Sequence, residues 1–352
     1  MNISILGTGS FGTSLSMVLD DNGHSVMMYG RSNETVDEIN TNHTNSRYLE
    51  NIKINPSVKA STDFEEVVRH ADIIVIAVPV KAVRAVSREL EKILLLQNRK
   101  VLIVHVAKGL ELGTHLRVSE IINEEMSDQT ASDICVLSGP SHAEEVALKS
   151  PTTVSTASIK NEGVKTIQDV FMNENFRVYV NEDLVGVEIG GALKNIIALA
   201  IGTLHGLGFG DNAKAATITR GLHEIARLGV KMGANPLTFL GLTGMGDLIV
   251  TATSEHSRNF RCGIMLAEGL TLPEAEEKMG MVVEGVNTTK AAYELSDQYG
   301  VEMPITKVLY QYLFHDISEQ EAFSKLMQRE KKSETDGLKD LLENQLKDWT
   351  RE

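Results

Sequence analysis

The sequence predicts an α/β protein: a doubly wound, mainly parallel sheet in the N-terminal half, followed by an all-α half. Three observations carry this. Short, continuous apolar runs alternate with helical stretches through the first half, and strand-like runs nearly vanish from about Asp183. A glycine-rich turn, Gly7-Thr8-Gly9-Ser10-Phe11-Gly12, joins the first apolar run to the first helical stretch.

The apolar runs fall at residues 3–6, 25–29, 73–78, 101–106 and 134–137, each bounded by Gly, Pro or charged residues. Continuous rather than alternating apolarity suits strands covered on both faces, as in a parallel sheet under helices. Residues 11–22, 80–96 and 116–126 have the length and spacing of crossover helices, which completes a βαβ pattern. Helical periodicity then dominates at 184–204, 213–232, 259–267, 272–278, 288–299 and 305–314. The expected organisation is a dinucleotide-binding domain at 1–182, a helical domain at 183–330 and a charged tail at 331–352. In the tail, Leu338, Leu341, Leu342, Leu346 and Trp349 share one stripe of a helix that is either docked or solvated, or binds a partner.

A length of 352 residues suits about two domains. The formal net charge of −14 argues against nucleic acid or an anionic membrane as a partner, since both require a basic face. The run at 73–80 is too short to span a bilayer, which takes about 20 residues, so no stable membrane insertion is expected. Cys135 and Cys262 stand far apart in no metal-type spacing and read as reduced thiols. The N-terminus passes from Met1 into an apolar run with no basic segment, so a cytoplasmic protein is expected.

In G-x-G-x-x-G, Gly7 permits a tight turn, Gly9 lets backbone approach a pyrophosphate, and Gly12 lets the helix pack closely on the strand. The helix N-terminus then directs N–H groups and a partial positive charge at the phosphates. A strand before the motif and a helix after it make dinucleotide binding the expectation. Where an NAD site places Asp or Glu after the second strand, this chain has Gly30-Arg31-Ser32. The guanidinium and hydroxyl suit a 2′-phosphate, which favours NADPH over NADH; the alternative is that Arg31 is a solvated loop residue.

The helix around Lys194 is apolar on nearly every face. A buried ammonium is costly unless paired or deprotonated, and desolvation makes a lysine a usable acid–base group near neutral pH. The alternative is a structural ion pair with Glu188 or a residue elsewhere. Gly190 and Gly191 leave room for a ligand or another helix. Asp247 and Thr251, four apart, share a helix face; Asp247 could hold a lysine, and Thr251 could bond a substrate hydroxyl. Arg258 with Asn259 forms a phosphate clamp at the start of a helix. Lys108-Gly109 and Ser138-Gly139-Pro140-Ser141 follow strands at their carboxyl ends, where open α/β sheets bind ligands, although Lys108 by itself could be a surface lysine. His223-Glu224 lacks the second histidine of a zinc helix, and no metal is expected.

Together these motifs resemble bacterial NAD(P)-dependent glycerol-3-phosphate dehydrogenase. The resemblance runs through the glycine turn, Val106-Ala107-Lys108-Gly109, Ser138 to Glu145, Gly191-Ala192-Leu193-Lys194-Asn195, Gly246-Asp247-Leu248, Ser257-Arg258-Asn259, Val282-Val283-Glu284-Gly285 and Met303-Pro304-Ile305. It covers about residues 1–330 and implies a Rossmann domain followed by a helical domain of the 6-phosphogluconate-dehydrogenase-like type. The implied reaction interconverts dihydroxyacetone phosphate and sn-glycerol 3-phosphate, flowing toward the latter for phospholipid synthesis.

By motif, Lys194 would be the acid–base group, supported by Asn195 and Thr251. Lys108, Gly139, Ser141, Asp247, Ser257, Arg258 and Asn259 would bind substrate. Gly7, Gly9, Ser10, Phe11, Gly12, Arg31, Lys108, Ala143, Arg258, Val282 and Glu284 would line NADPH or NADH. The expected partners are a small phosphorylated substrate and a second copy in a homodimer. Ala252 and Phe11 depart from residues common in the family, Cys and Trp, at positions that need no side chain for proton transfer. Rival readings are a β-hydroxyacid or 6-phosphogluconate dehydrogenase of the same architecture, disfavoured by Arg258-Asn259, and a non-catalytic NADP sensor, disfavoured by Lys194. In an acidic chain that binds small anions, Arg31, Lys108, Lys194 and Arg258 are expected to form a positive island around one cleft.

Overall fold

The computed structural model describes residues 1–334 except Met281, Val282, Asp316 and Lys332; the tail stripe at 338–349 lies outside the described residues. The chain forms two compact units: Met1–Glu111 with Leu116–Leu184, and Val185 onward with Leu112–His115.

The first unit runs β1 (Asn2–Leu6), α1 (Ser10–Asp21), β2 (Ser25–Tyr29), α2 (Asn33–Asn42), β3 (Lys59–Ser61), α3 (Phe64–His70), β4 (Ile73–Ile76) and α4 (Val80–Leu96). It continues with β5 (Val101–His105), α5 (Val118–Glu125), β6 (Ala131–Ser138), α6 (Ala143–Ala147), β7 (Thr152–Ser158), α7 (Val164–Phe171) and β8 (Phe176–Val180). The strands form one sheet in the order β3-β2-β1-β4-β5-β6-β7-β8. All neighbours are parallel except β6 and β7, which pair antiparallel through Cys135↔Ser158 and Ser138↔Ser155. After β1 the chain winds outward to β2 and β3, then crosses back to β4. The reversal of strand order between β1 and β4 opens a crevice at their carboxyl ends.

Burial explains why the runs are continuous. In β4, Ile73 and Val75 join the core on one face of the sheet, and Ile74 and Ile76 join the core on the other. Strands covered on both faces show no polar alternation. Three strands had no such signal. β3 is only three residues long, β7 is the Ser/Thr-rich TTVSTAS, and β8 exposes Arg177, Tyr179 and Val180 at the sheet edge. β7 is secured by neighbours rather than by its own apolarity. Beside it, the buried Asp133 accepts hydrogen bonds from Ser158 Oγ (2.7 Å) and from the N–H groups of Lys160, Glu162 and Gly163 (3.0, 3.2 and 2.9 Å).

The second unit is helical: α8 (Leu184–Gly206), α9 (Asp211–Lys231), a 3₁₀ turn (Pro236–Leu240), a π-helical turn (Leu242–Gly246), α10 (Asp247–Thr253), α11 (Arg258–Ala267), α12 (Leu272–Met279), α13 (Glu284–Tyr299), α14 (Pro304–Phe314) and α15 (Glu319–Met327). The run at 73–80 is too short to span a bilayer. A longer apolar element exists in α8, whose 23 residues could cross a bilayer by length and composition, but it is mostly buried as a core helix. The single cut expected near residue 183 is also incomplete. Leu112–His115 belongs with the second unit, where His115 Nε2 lies 2.6 Å from Glu294 Oε2 on α13.

Glu224, noticed in sequence only beside a histidine, has a structural task. The residue preceding α14 is Met303, which has no side-chain acceptor, so the first N–H groups of that helix need a partner from elsewhere. Glu224 on α9 accepts from Ile305 N (2.7 Å), Thr306 N (3.1 Å) and Thr306 Oγ1 (3.1 Å). Burial pushes its carboxyl from 4.5 up to about 7, against the pull of those three donors and of the Arg227 guanidinium. A carboxyl raised in the fold makes folding less favourable as pH climbs through the window between the two values, and has no further effect above it. The difference in unfolding free energy between wild type and Glu224→Gln, from urea titrations, is expected to fall by about 3 kcal/mol from pH 4.5 to pH 7. A difference that is flat across that window would contradict the assignment.

Candidate active site

In the first unit, the Gly7 N–H donates to Tyr29 O (3.0 Å) and leads the chain out of β1. Gly7 has φ +127°, and a Cβ there would lie 2.5 Å from the Ala77 carbonyl at the end of β4. A Cβ at Gly12 would in turn strike the Gly7 carbonyl, also at 2.5 Å. Gly9 differs, since a Cβ there would meet nothing within 4 Å. It precedes α1 with no side-chain cap, and the first turn carries no acidic residue. Open space over a glycine, uncapped N–H groups and the positive end of a 12-residue helix fit a dinucleotide pyrophosphate. Ser10 opens α1, while Phe11 packs partly into the core. Arg31 is exposed just past β2. The Ser32 hydroxyl, expected beside it as a phosphate contact, accepts from Thr35 N (3.3 Å) as the cap of α2.

The same unit brings Lys108, Gly139 and Ser141 together. Lys108 Nζ and Ser141 Oγ both donate to the Gly139 carbonyl, each at 2.9 Å. Ala143 opens α6, and its carbonyl accepts from Ser14 Oγ of α1 (2.6 Å).

The second unit assembles around α8. Lys194 is 6% exposed, and its Nζ donates to Asp247 Oδ1 and, at 2.7 Å, to Thr251 Oγ1. Asp247 is the first residue of α10, straight after the π-helical turn. Such turns re-aim the side chain that follows and recur at functional sites. Gly190 does make room, and what fills it is backbone: a Cβ there would lie 2.5 Å from the Thr243 carbonyl in that turn. The Thr251 hydroxyl donates to the Asp247 carbonyl (2.6 Å) while accepting from the lysine.

Farther along α8, backbone touches α11. A Cβ on Gly202 would come within 2.0 Å of the Phe260 carbonyl. This contact fixes the start of α11, where Ser257 caps Phe260 N (3.2 Å) and Arg258 opens the helix. The Asn259 side chain bridges instead of clamping: its Nδ2 donates to Asn195 Oδ1 (2.8 Å), and its Oδ1 accepts from Gly285 N (2.9 Å). Asn195 Oδ1 is thereby tied to α11. Gly285, next to Glu284 at the start of α13, appears in the sequence only as the end of the Val282-Val283-Glu284-Gly285 motif, with no role of its own; a Cβ there would lie 2.7 Å from Asn259 Oδ1 and 2.8 Å from the Asn195 carbonyl. Val282 lies outside the described residues.

Models of the NAD-dependent glycerol-3-phosphate dehydrogenase N-terminus and C-terminus match residues 2–164 and 183–324. The chain is 55% identical over 334 residues to glycerol-3-phosphate dehydrogenase (NAD(P)+) of Macrococcus caseolyticus, covering 95% of this chain and 100% of that protein. It is 54% identical over 345 residues to the Bacillus subtilis protein of the same name, covering 98% and 99%. Among solved structures, glycerol-3-phosphate dehydrogenase from Coxiella burnetii superposes with a TM-score of 0.87 at 37% identity, over 93% of this chain and 98% of that one. With both halves matched in order and relatives aligned over nearly their full length, the chain belongs to the NAD-dependent glycerol-3-phosphate dehydrogenase family.

Proposed function

We propose that the protein catalyses NAD(P)-dependent interconversion of dihydroxyacetone phosphate and sn-glycerol 3-phosphate, working toward glycerol 3-phosphate for phospholipid synthesis. The observation that carries this reading is the buried Lys194 held by Asp247 and Thr251. A cofactor-binding protein without chemistry has no use for a desolvated ammonium.

The nicotinamide cofactor, when bound, supplies the hydride. Its pyrophosphate is held by the N–H groups at Gly9, Ser10 and Phe11, and Arg31 beside Gly30 favours a 2′-phosphate. Ala143, Glu284 and Arg258 complete the cofactor contacts, together with Val282. Lys194 Nζ donates a proton to the C2 oxygen during reduction and takes it back in the reverse direction. Asp247 stabilises the ammonium and, with Thr251, holds Nζ in one place, so the acid is in position before the oxygen gains charge. Arg258 binds the substrate phosphate as a charge-assisted donor, joined by N–H groups at the start of α11 below the Ser257 cap. Asn259 acts there through its backbone, since its carboxamide is tied to Asn195 and Gly285. Lys108, fixed on the Gly139 carbonyl with Ser141, contacts substrate and cofactor. The reading extends to a cytoplasmic homodimer without membrane insertion, for which sedimentation of the full chain is the check.

The deciding experiment is dihydroxyacetone phosphate-dependent oxidation of NADPH and of NADH by the purified protein. No turnover with either would refute the activity, and equal affinities for the two would remove the role given to Arg31. Lys194→Ala is expected to lower kcat by roughly 10²–10⁴-fold, the usual contribution of a positioned acid–base group, with NADPH affinity nearly unchanged. Wild-type kcat in that variant would end the assignment. Arg258→Ala should raise KM for dihydroxyacetone phosphate by roughly tenfold to a hundredfold, as loss of one charged hydrogen bond implies; an unchanged KM would count against the phosphate contact.

A further inference from the structure

We propose that Asn45 is a positioning residue for the cofactor cradle, aiming the Gly9 N–H by clamping the carbonyl of Thr8. This rests on reading the glycine turn as a dinucleotide site.

Asn45 is fully buried, at 0% exposure. Its Nδ2 donates to Thr8 O and to Thr13 Oγ1, both at 2.8 Å, so one carboxamide ties the turn to the first turns of α1. The Thr8 carbonyl and the Gly9 N–H belong to one planar trans peptide and point in opposite directions. Holding the oxygen toward Asn45 therefore turns the N–H away from it. Thr8 is supported on a second side as well, because a Cβ at Gly30 would lie 2.9 Å from Thr8 Cγ2.

The clamp is itself built from below. The Asn45 carbonyl accepts from Tyr48 N (3.0 Å) and Leu49 N (2.8 Å). Its neighbours Thr44 (Oγ1) and Ser46 (N) both donate to Glu38 Oε1 at 2.8 Å, and the Ser46 N–H foremost holds that carboxyl below its ordinary range. Glu38 lies on α2, the helix that starts just after Arg31 and Ser32. The segments on either side of the turn are thus braced to one another through Asn45.

Its Oδ1 finds no protein donor among the described residues, so the hydrogen bonds of the carboxamide to protein run through Nδ2. An apolar side chain could fill the same space, but it could not hold the Thr8 carbonyl.

The test is the dissociation constant for NADPH, read from its own fluorescence without substrate, beside the melting temperature of each cofactor-free variant. Asn45→Asp keeps the shape and removes both donors, and is expected to weaken NADPH binding about tenfold, equivalent to about 1.4 kcal/mol. At saturating NADPH, kcat and the KM for dihydroxyacetone phosphate should stay within about twofold of wild type. Glu38→Ala removes only the outer brace, leaves the core intact, and should weaken binding in the same direction by less. Unchanged NADPH affinity in a folded Asn45→Asp, or in Glu38→Ala should Asn45→Asp not fold, overturns the proposal. So does a rise in the substrate KM without loss of cofactor affinity. Failure of wild type itself to bind NADPH would instead sink the dinucleotide reading.

Discussion

The second unit is organised around one unfavourable act, the burial of the Lys194 ammonium. Its side chain is 7% exposed and that of Asp247 1%, so both charges are taken from water almost completely. A pair of this kind is a poor source of stability, because apolar residues of similar volume often do as well or better, while loss of one partner typically costs about 3–5 kcal/mol. Its presence in the middle of the most apolar helix therefore adds little to stability and agrees with the acid–base role proposed for it. The neighbouring structure follows from the need to satisfy it. The π-helical turn delivers Asp247 at the start of α10, Thr251 one turn later supplies the second acceptor, and Gly190 lets the turn's backbone come close enough for both.

Around that pair, side chains that could have been loose ligands are committed to one another. Thr251 is held by the lysine and its own helix, and Asn259 by Asn195 and Gly285. In the first unit the Gly139 carbonyl holds Lys108 and Ser141 in the same manner. Groups already fixed need little reorganisation when charge develops nearby, which is where preorganised sites gain their advantage over water. The arrangement also makes substitutions non-local: removing Asn259 takes one partner from Asn195 and one from the Gly285 N–H at the start of α13.

The sheet core and the helical half were legible because they rest on periodicity. The runs at 3–6, 25–29, 73–78, 101–106 and 134–137 all became strands, within three residues at each end, and α4 spans 80–96 as expected. Signals failed where neighbours rather than local sequence decide. β7 is a strand because β6 and β8 flank it, although its Ser and Thr residues show no apolar run. Leu112–His115 joins the second unit through a contact with Glu294, 179 residues away in sequence. The site divides along the same line. The glycine turn and Lys194 announce themselves, one by spacing and the other by a charge in an apolar helix. The tasks of Asn45 and Gly285, and the internal use of Thr251, depend on partners that no window of sequence contains.

The acidity of the chain bears on how anions are received. A molecule of formal charge −14 repels them at a distance, so attraction must come from groups acting at short range. Helix N-termini do this without changing net charge, provided no carboxylate occupies the first turn. Many helices here do place one there: Glu34 in α2, Glu65 and Glu66 in α3, Glu120 in α5, Asp211 in α9 and Glu274 in α12. α1 and α11 do not, nor do α4, α7, α8 and α14, and of these α11 begins with Arg258. α1 and α11 are the two helices assigned to the pyrophosphate and to the substrate phosphate. An acidic first turn stabilises its own helix by filling the position an anion would take; α1 and α11 leave that position open, in agreement with the phosphate roles proposed for them.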